Sequence, residues 1–174
     1  MAQKLRVPIG FVIAAAVLFF STPTVASIAI GLPVALAGAT FRALAAGVIK
    51  KDAALASSGV YALTRNPLYF GSSLLAAGFA IMSANGVAAA LLLVPFALIY
   101  PVVIRREEAH LQTLFPDEFR LYRSRVPVFI PRPTLRFSRS FDFSQYLANR
   151  EYNTLLGFVV AVSVLAVKII KTGT

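Results

Sequence analysis

Apolar residues recur in five runs along the chain, and polar stretches separate them. The runs cover approximately residues 7–21, 25–49, 67–82, 87–104 and 155–170. Such runs are typical of membrane-spanning helices, because a helix rises about 1.5 Å per residue through a hydrocarbon layer about 30 Å thick. The pattern therefore predicts an all-α, polytopic integral membrane protein with about five transmembrane helices.

Proline, glycine and small polar residues mark where these helices begin and end. Pro67 suits the first turn of the third helix, where its missing N–H costs nothing. Asn85 and Gly86 favour positive φ and predict a tight turn, so the third and fourth spans should form an antiparallel hairpin. The basic start before the first run also fits a signal peptide, but no small-residue cleavage site follows it cleanly, and we interpret the run as the first span.

Two polar segments lie between the spans, at residues 51–66 and 105–150. The first predicts a loop. The second should continue the fourth helix, begin a new helix at Pro116, and then run extended over residues 126–133, because three prolines exclude a helix there. The aromatic and basic residues between 136 and 146 predict a stretch at the membrane surface.

Composition agrees with the pattern. Of the 174 residues, 58% are hydrophobic and 14% are charged, whereas a soluble domain is roughly 45–50% apolar and about 25% charged. This balance excludes a soluble globular protein. The chain has no Cys and one His, so disulfides and a thiolate or His-built metal site are not expected.

The net charge of +10 comes from 17 Lys and Arg against 7 Asp and Glu. In a soluble protein this excess would suggest nucleic acid. Here most of the basic residues precede the first span or lie in or beside the two polar segments, Lys168 and Lys171 fall on the far side, and the connections at 21–24 and 83–86 carry none. The positive-inside rule explains that distribution. We therefore predict a cytoplasmic N-terminus and cytoplasmic polar segments, and no nucleic-acid partner.

Arg42 is a charged residue inside the second run, about two turns before Lys50 and Lys51. Its long side chain can reach the membrane surface from that position. The sequence leaves two interpretations open. Arg42 either anchors the helix at the interface or lines a polar cavity.

Two groups of residues beside the membrane could carry chemistry. In residues 59–71, a glycine turn and Arg65 precede a helix, which favours an anion site, although an interfacial cap explains them equally. In residues 105–111, Glu107 and Glu108 are adjacent, which is costly beside a membrane unless they are paired or functional; a solvated, salt-bridged helix is the structural alternative. Together they predict a site for a zwitterionic, amino-acid-like ligand.

Five short motifs follow one another between residues 59 and 132. They read Gly59-Val-Tyr61-Ala, Arg65-Asn-Pro-Leu-Tyr69-Phe-Gly71, Glu107-Glu108-Ala-His-Leu111, Phe115-Pro-Asp-Glu-Phe119-Arg-Leu-Tyr122 and Val126-Pro-Val-Phe-Ile-Pro131. In order and spacing they resemble the isoprenylcysteine carboxyl methyltransferase and phospholipid methyltransferase family of integral membrane enzymes. That family pattern is a Gly-Pro-Tyr-Arg-like turn, Arg-His-Pro-x-Tyr-x-Gly, Glu-Glu-x-x-Leu, Phe-Gly-x-x-Tyr-x-x-Tyr and Val-Pro-x-x-x-Pro.

The resemblance implies an S-adenosylmethionine-dependent methyltransferase whose cofactor pocket, built by the C-terminal half, faces the cytoplasm. By position it implies cofactor contacts at Tyr61, Arg65, Asn66, Pro67, Tyr69, Glu107, Glu108, His110, Tyr122, Pro127 and Ile130. It also implies catalytic roles for Arg106, Glu107 and Glu108. The lipophilic methyl acceptor, a carboxylate or an amine, would enter from the bilayer between spans. The expected partners of the protein are therefore this acceptor and membrane lipids.

The length allows one compact unit, so we expect a single membrane domain over residues 1–174. Residues 1–50 would form two N-terminal spans, residues 59–132 the methyltransferase-like core, and residues 152–171 the last span. We expect the protein in a bacterial inner membrane, with its active site on the cytoplasmic side.

The chain departs from the family pattern at three positions. Asn66 replaces the family His, and because an amide does not titrate, that position loses any acid–base role. Val60 replaces Pro, and Pro116 replaces Gly. A carboxylate acceptor needs no base, whereas an amine would need one, with Glu107, Glu108 or His110 as candidates.

A non-catalytic small membrane protein, such as a transporter subunit or an assembly factor, is the alternative function. A transporter should show repeated halves or charged residues at mid-membrane. No repeat is visible in the sequence, and four of the five runs carry no charged residue near their centres. The sequence therefore favours the methyltransferase.

Overall fold

The structure is a computed structural model that describes residues 2–134 and 141–173. Its helices are α1 Ala2–Phe20, α2 Val25–Ala46, α3 Pro67–Ser83, α4 Gly86–Leu114, α5 Pro116–Arg125, α6 Phe143–Ala148 and α7 Tyr152–Thr172, with a 3₁₀ turn at Gly59–Ala62. The described residues contain no strand. The prediction of an all-α fold is confirmed.

Three of the described helices, α2, α4 and α7, are long and apolar enough to cross a membrane. Helix α3 is also apolar but has 17 residues, which is at the short end of the roughly 17–25 residues of a spanning helix. Helix α1 has 19 residues. The membrane character of the protein is confirmed, and the count of five spans stays a prediction.

Helices α2 and α3 pack in backbone contact because glycines face each other at two levels. A Cβ added at Gly38 would lie 2.5 Å from the carbonyl oxygen of Gly71, and one added at Gly31 would lie 2.5 Å from that of Gly78. Such close approach is typical of membrane helix pairs, where small residues let backbones meet. This contact fixes where the first turn of α3 lies along α2.

Two predictions near helix ends differ from the structure. Helix α2 ends at Ala46 rather than residue 49, and the side chain of Asn149 donates to the carbonyls of Ala46 and Ile49. The positive φ predicted for Asn85 and Gly86 lies instead at Ala84. Asn85 caps α4, because its side-chain oxygen accepts from two backbone N–H groups of the first turn.

After α5 the chain runs without helix over residues 126–133, a segment that we call the strap, as its prolines predict. The backbone bends at Val126 and over residues 128–130, so the segment is not extended throughout. In the predicted surface stretch, the structure describes the helix α6 and shows Phe141 lying over Gly47. Arg136, Phe137 and Arg139, which contribute to that prediction, lie outside the described residues.

Helix α7 joins the others through its middle and its C-terminal part. Phe158 and Leu165 pack with Ala35 and Met82 in one apolar cluster. Nearer the C-terminus, Lys168 donates to backbone carbonyls at the end of α1. A cation beside a helix C-terminus is favourable, because the last carbonyls carry partial negative charge.

Candidate active site

Arg65 and Glu108 form the centre of the candidate site. Arg65 Nε donates to Glu108 Oε1 at 2.8 Å, and Nη2 donates to Oε2 at 3.3 Å. The two side chains are only 10% and 17% exposed. A two-point pair of this kind fixes orientation as well as distance, so it ties the loop before α3 to the end of α4.

The strap is held against the start of α3 by backbone and side-chain hydrogen bonds. Asn66 Nδ2 donates to the carbonyl of Val128 at 2.9 Å, and the backbone N–H of Arg65 donates to that of Pro127 at 2.9 Å. Asn66 is buried. An amide can fill this position because it donates without carrying charge, so the residue that replaces the family His has a structural role here.

Tyr69, in the first turn of α3, forms a second polar contact with Glu107. The Tyr69 hydroxyl donates to Glu107 Oε1 at 2.6 Å. The Tyr69 ring also meets Tyr100 edge to face, with centroids 4.8 Å apart. Glu107 is exposed, so its second carboxylate oxygen faces an accessible region beside two aromatic rings.

Tyr61 and Tyr122 are buried together beneath the strap. The Tyr122 hydroxyl donates to the backbone carbonyl of Tyr61 at 2.7 Å. Burial raises the pKa of both phenols above their ordinary value. At Tyr61 the charge of Glu107 also raises the pKa, whereas at Tyr122 the Arg65 guanidinium opposes the shift. Both tyrosines therefore hold their protons and brace the loop against α5.

Four of the predicted site residues take no part in these polar contacts. Pro67 is fully buried in the first turn of α3. Ile130 is 76% exposed on the strap, and Arg106 is exposed on α4. His110 lies 3.1 Å from Asp52 through Nε2, on the exposed side of α4.

Between α3 and α4 lies an apolar groove of about 550 Å³. It is lined by Ser73, Leu93, Phe96, Ala97, Tyr100, Pro101, Ile104, Arg105, Val128 and Phe129. Its polar end is formed by Arg105 and Tyr100, next to the Tyr69–Glu107 contact. We call it the α3–α4 groove.

A second cavity of about 640 Å³ lies on the other side of the strap. Its lining mixes charged and apolar side chains, among them Glu118, Tyr122, Arg125 and Arg132. Since Val126 and Pro127 line this cavity while Val128 and Phe129 line the groove, the strap separates the two.

Sequence reasoning places Arg65 and Glu108 at one site but assigns them separate ligand groups. In the structure they pair with each other, because opposite charges beside apolar surface neutralise at close range. Sequence reasoning also misses Thr64, which is buried and donates to the carbonyl of Phe129 at 2.8 Å. Its position directly before Arg65 was the available signal.

A profile of the phospholipid methyltransferase family matches residues 9–118. The protein-S-isoprenylcysteine O-methyltransferase of Schizosaccharomyces pombe is 34% identical over 95 residues, which are 55% of this chain and 40% of that protein. No solved structure matches.

Two further relatives carry other names. The cobalt-zinc-cadmium resistance protein CzcN of Cupriavidus metallidurans is 42% identical over 86 residues, 49% of this chain and 39% of that protein. The nickel-cobalt-cadmium resistance protein NccN of Alcaligenes xylosoxydans xylosoxydans is 40% identical over 91 residues, 52% of this chain and 42% of that protein. The matched residues thus cover about two fifths of the length of each of these curated relatives.

The family match covers the loop, α3, α4 and the start of α5, which carry the Arg65–Glu108 and Tyr69–Glu107 contacts. It extends through α1 and α2, which the motifs do not include. The resemblance drawn from the motifs is confirmed, and the chain belongs to the phospholipid methyltransferase family.

Proposed function

We propose that this protein is an S-adenosylmethionine-dependent methyltransferase that methylates a lipophilic acceptor at the cytoplasmic face of the membrane. One observation carries the proposal. Tyr100, at the polar end of the apolar groove, packs against Tyr69, whose hydroxyl donates to Glu107, and the strap residues Val128 and Phe129 line the groove itself. A polar reagent and an apolar acceptor could meet there.

The residues at this end suit a sulfonium amino acid. Such a ligand carries an ammonium, a carboxylate and a positive sulfur, and S-adenosylmethionine supplies a methyl group from that sulfur. Glu107 offers a carboxylate, Arg105 a guanidinium, and Tyr69 and Tyr100 offer ring faces that attract cations. We assign cofactor binding to Tyr69 and Glu107, with Arg65, Asn66 and Glu108 holding the surrounding frame.

The α3–α4 groove suits the hydrocarbon part of the acceptor. It follows α4 from Leu93 to Arg105, which is about 18 Å at about 1.5 Å per residue. A hydrocarbon chain lying there would exclude water from the reacting end, and the helices would orient the chain. Alignment is the main requirement of an in-line methyl transfer.

The charge chemistry favours an acceptor that arrives ionised, such as a carboxylate. An amine acceptor must lose a proton, and the base would have to lie at the reacting end. His110 contacts Asp52 on the exposed side of α4, and Glu108 is already paired with Arg65. Glu107 is the remaining candidate of the three, and it would serve only if an amine is the acceptor.

Two relatives are named for resistance to metals. Among the described residues there is no group of three or more His, Asp or Glu side chains that could hold a metal ion. The relative named as a methyltransferase shares the family with this chain, so we favour methyl transfer over a non-catalytic role.

Calorimetric titration of the purified protein with S-adenosylmethionine tests the proposal. Wild type should bind it, and Glu107→Gln should bind at least about tenfold more weakly, because the ammonium would lose its charged partner. Glu118→Gln, a change of the same chemistry on exposed α5, is the matched control and should bind like wild type. Absence of binding by wild type would contradict the proposal.

A further inference from the structure

Arg42 and Glu151 form an ion pair between α2 and the start of α7, in which Glu151 is buried and Arg42 partly buried. Arg42 Nε donates to Glu151 Oε1 at 2.7 Å, and Nη2 donates to Oε2 at 2.9 Å. Glu151 is 8% exposed. The guanidinium of Arg42 is engaged by a carboxylate 109 residues away, a partner that the sequence analysis did not assign to it.

The pair reaches α3 through a single hydroxyl. Arg42 Nη1 donates to Ser72 Oγ, and Ser72 Oγ donates to the carbonyl of Leu68 at 2.8 Å. Leu68 lies directly before Tyr69 in the first turn of α3. A continuous path of polar contacts therefore runs from the start of α7 to the turn that carries the Tyr69–Glu107 contact.

The last glycine of the Arg-x-Pro-x-Tyr-x-Gly motif makes this path sterically possible. A Cβ added at Gly71 would lie 2.9 Å from Cγ of Arg42 and 2.7 Å from the carbonyl oxygen of Gly38. The stem of Arg42 thus passes over the face of α3 that Gly71 leaves bare. Motif and ion pair are parts of one arrangement.

Burying a carboxylate and part of a guanidinium costs solvation free energy, and apolar packing alone would not require these charges. Their value lies in geometry, because a two-point pair with further hydrogen bonds permits one relative placement of its helices. Thr154 on α7 also accepts from Arg42, at 3.3 Å. Three helices, α2, α3 and α7, are therefore held in register at one level.

We propose that Arg42 and Glu151 are positioning residues that set the first turn of α3, and with it Tyr69, against α4. The C-terminal helix then belongs to the working site although the family match ends at residue 118. The catalytic consequence rests on the proposed methyltransferase function. The effect on the helix turn does not.

Hydrogen–deuterium exchange measures the turn directly. In Glu151→Gln, exchange of the amides in residues 66–72 should rise about tenfold. Exchange in α5 and in the N-terminal half of α4 should stay unchanged. Ser72→Ala, which removes the hydroxyl and little volume, should act in the same direction and serves if Glu151→Gln folds poorly. Asp117→Asn, which breaks the exposed pair with Arg120, is the control and should leave residues 66–72 unaltered.

Kinetics supply the second readout. If the site is displaced, kcat should fall about tenfold with a smaller change in KM, because misalignment slows the transfer more than it weakens binding. The double variant Arg42→Gln/Glu151→Gln should lose no more than either single one, since the two residues act as a unit.

The positioning role is overturned if Glu151→Gln and Ser72→Ala both fold with wild-type exchange over residues 66–72. A rise in exchange spread evenly over all helices would also overturn it, because that result describes general destabilisation. A wild-type protein that transfers no methyl group would contradict the proposed function alone. The exchange experiment would still decide the positioning role.

Discussion

Arg65 and Glu108 lie 43 residues apart in the sequence and form a two-point ion pair where the loop before α3 meets α4. The guanidinium is shared, because Nη1 also donates to the carbonyls of Arg123 and Val126 at 2.9 Å. One side chain thus joins α4, the end of α5 and the strap. The pair therefore holds these elements of the candidate site together.

Glu108→Gln should destabilise the protein and loosen the strap. The substitution leaves the largely buried Arg65 charge without its partner, which costs about 3 kcal/mol of unfolding free energy. Thermal unfolding in detergent measures the change. Asp117→Asn, at an exposed pair, should change the free energy by less than about 1 kcal/mol, and equal losses in the two variants would contradict this account of Arg65.

Tyr69→Phe separates a role in function from a role in stability. It removes the hydroxyl that donates to Glu107 and keeps the ring beside Tyr100. Because Glu107 is exposed, we expect a loss of no more than about 1 kcal/mol in unfolding free energy. Methyl transfer should fall about tenfold as Glu107 loses its orientation.

The control for Tyr69→Phe is Tyr152→Phe, at an exposed position on α7. It should leave transfer unchanged. If Tyr69→Phe transfers methyl groups at the wild-type rate, the Tyr69–Glu107 contact has no part in the reaction.

Gly38→Ala tests the close approach of α2 and α3. The new methyl group would lie 2.5 Å from the carbonyl oxygen of Gly71, so the helices must move apart, at about 1–3 kcal/mol. Gly157→Ala on α7 is the matched control, because nothing lies within 4 Å of the added atom. It should be neutral or slightly stabilising, since alanine favours helix, and equal melting temperatures for the two variants would exclude the contact.

Alkaline pH should destabilise the protein partly through Tyr122. Burial raises the pKa of its phenol above the ordinary value, so the unfolded chain ionises near pH 10 while the folded protein keeps the proton. The folded state then binds more protons than the unfolded state, and stability falls as pH rises from about 10. Below that pH the full contribution is present.

Tyr122→Phe should reduce that alkaline slope. At about pH 8 the variant should be less stable by about 1 kcal/mol, because the carbonyl of Tyr61 loses its donor. Melting temperatures measured from about pH 8 to 11 test both effects. A variant whose melting temperature falls with pH as steeply as that of wild type would contradict the assignment to Tyr122.

The sequence was enough to predict the helices and the strap, because their signals are local. Pro67 and Pro116 begin helices where a proline is favourable. Three prolines keep the strap free of helix. Asn85 misled the prediction of the turn, since the same residue type favours both positive φ and helix caps.

The pairing of charges could not be predicted in the same way. The motifs bring Arg65 and Glu108 to one site, but whether they bind a ligand or each other depends on a distance that only packing sets. Arg42 is the clearer case. Its partner Glu151 lies outside every motif, and the contact forms only because the glycines of α2 and α3 let Arg42 pass over Gly71.

Transfer of labelled methyl groups tests the central claim most directly. Membranes containing wild type, Tyr69→Phe or Tyr152→Phe protein are incubated with methyl-labelled S-adenosylmethionine and extracted lipids, and label in the lipid fraction is counted. We predict label with wild type and with Tyr152→Phe, and about a tenth as much with Tyr69→Phe. No label above that of membranes lacking the protein, from carboxylate and amine acceptors alike, would contradict the assignment of a lipid-directed methyltransferase.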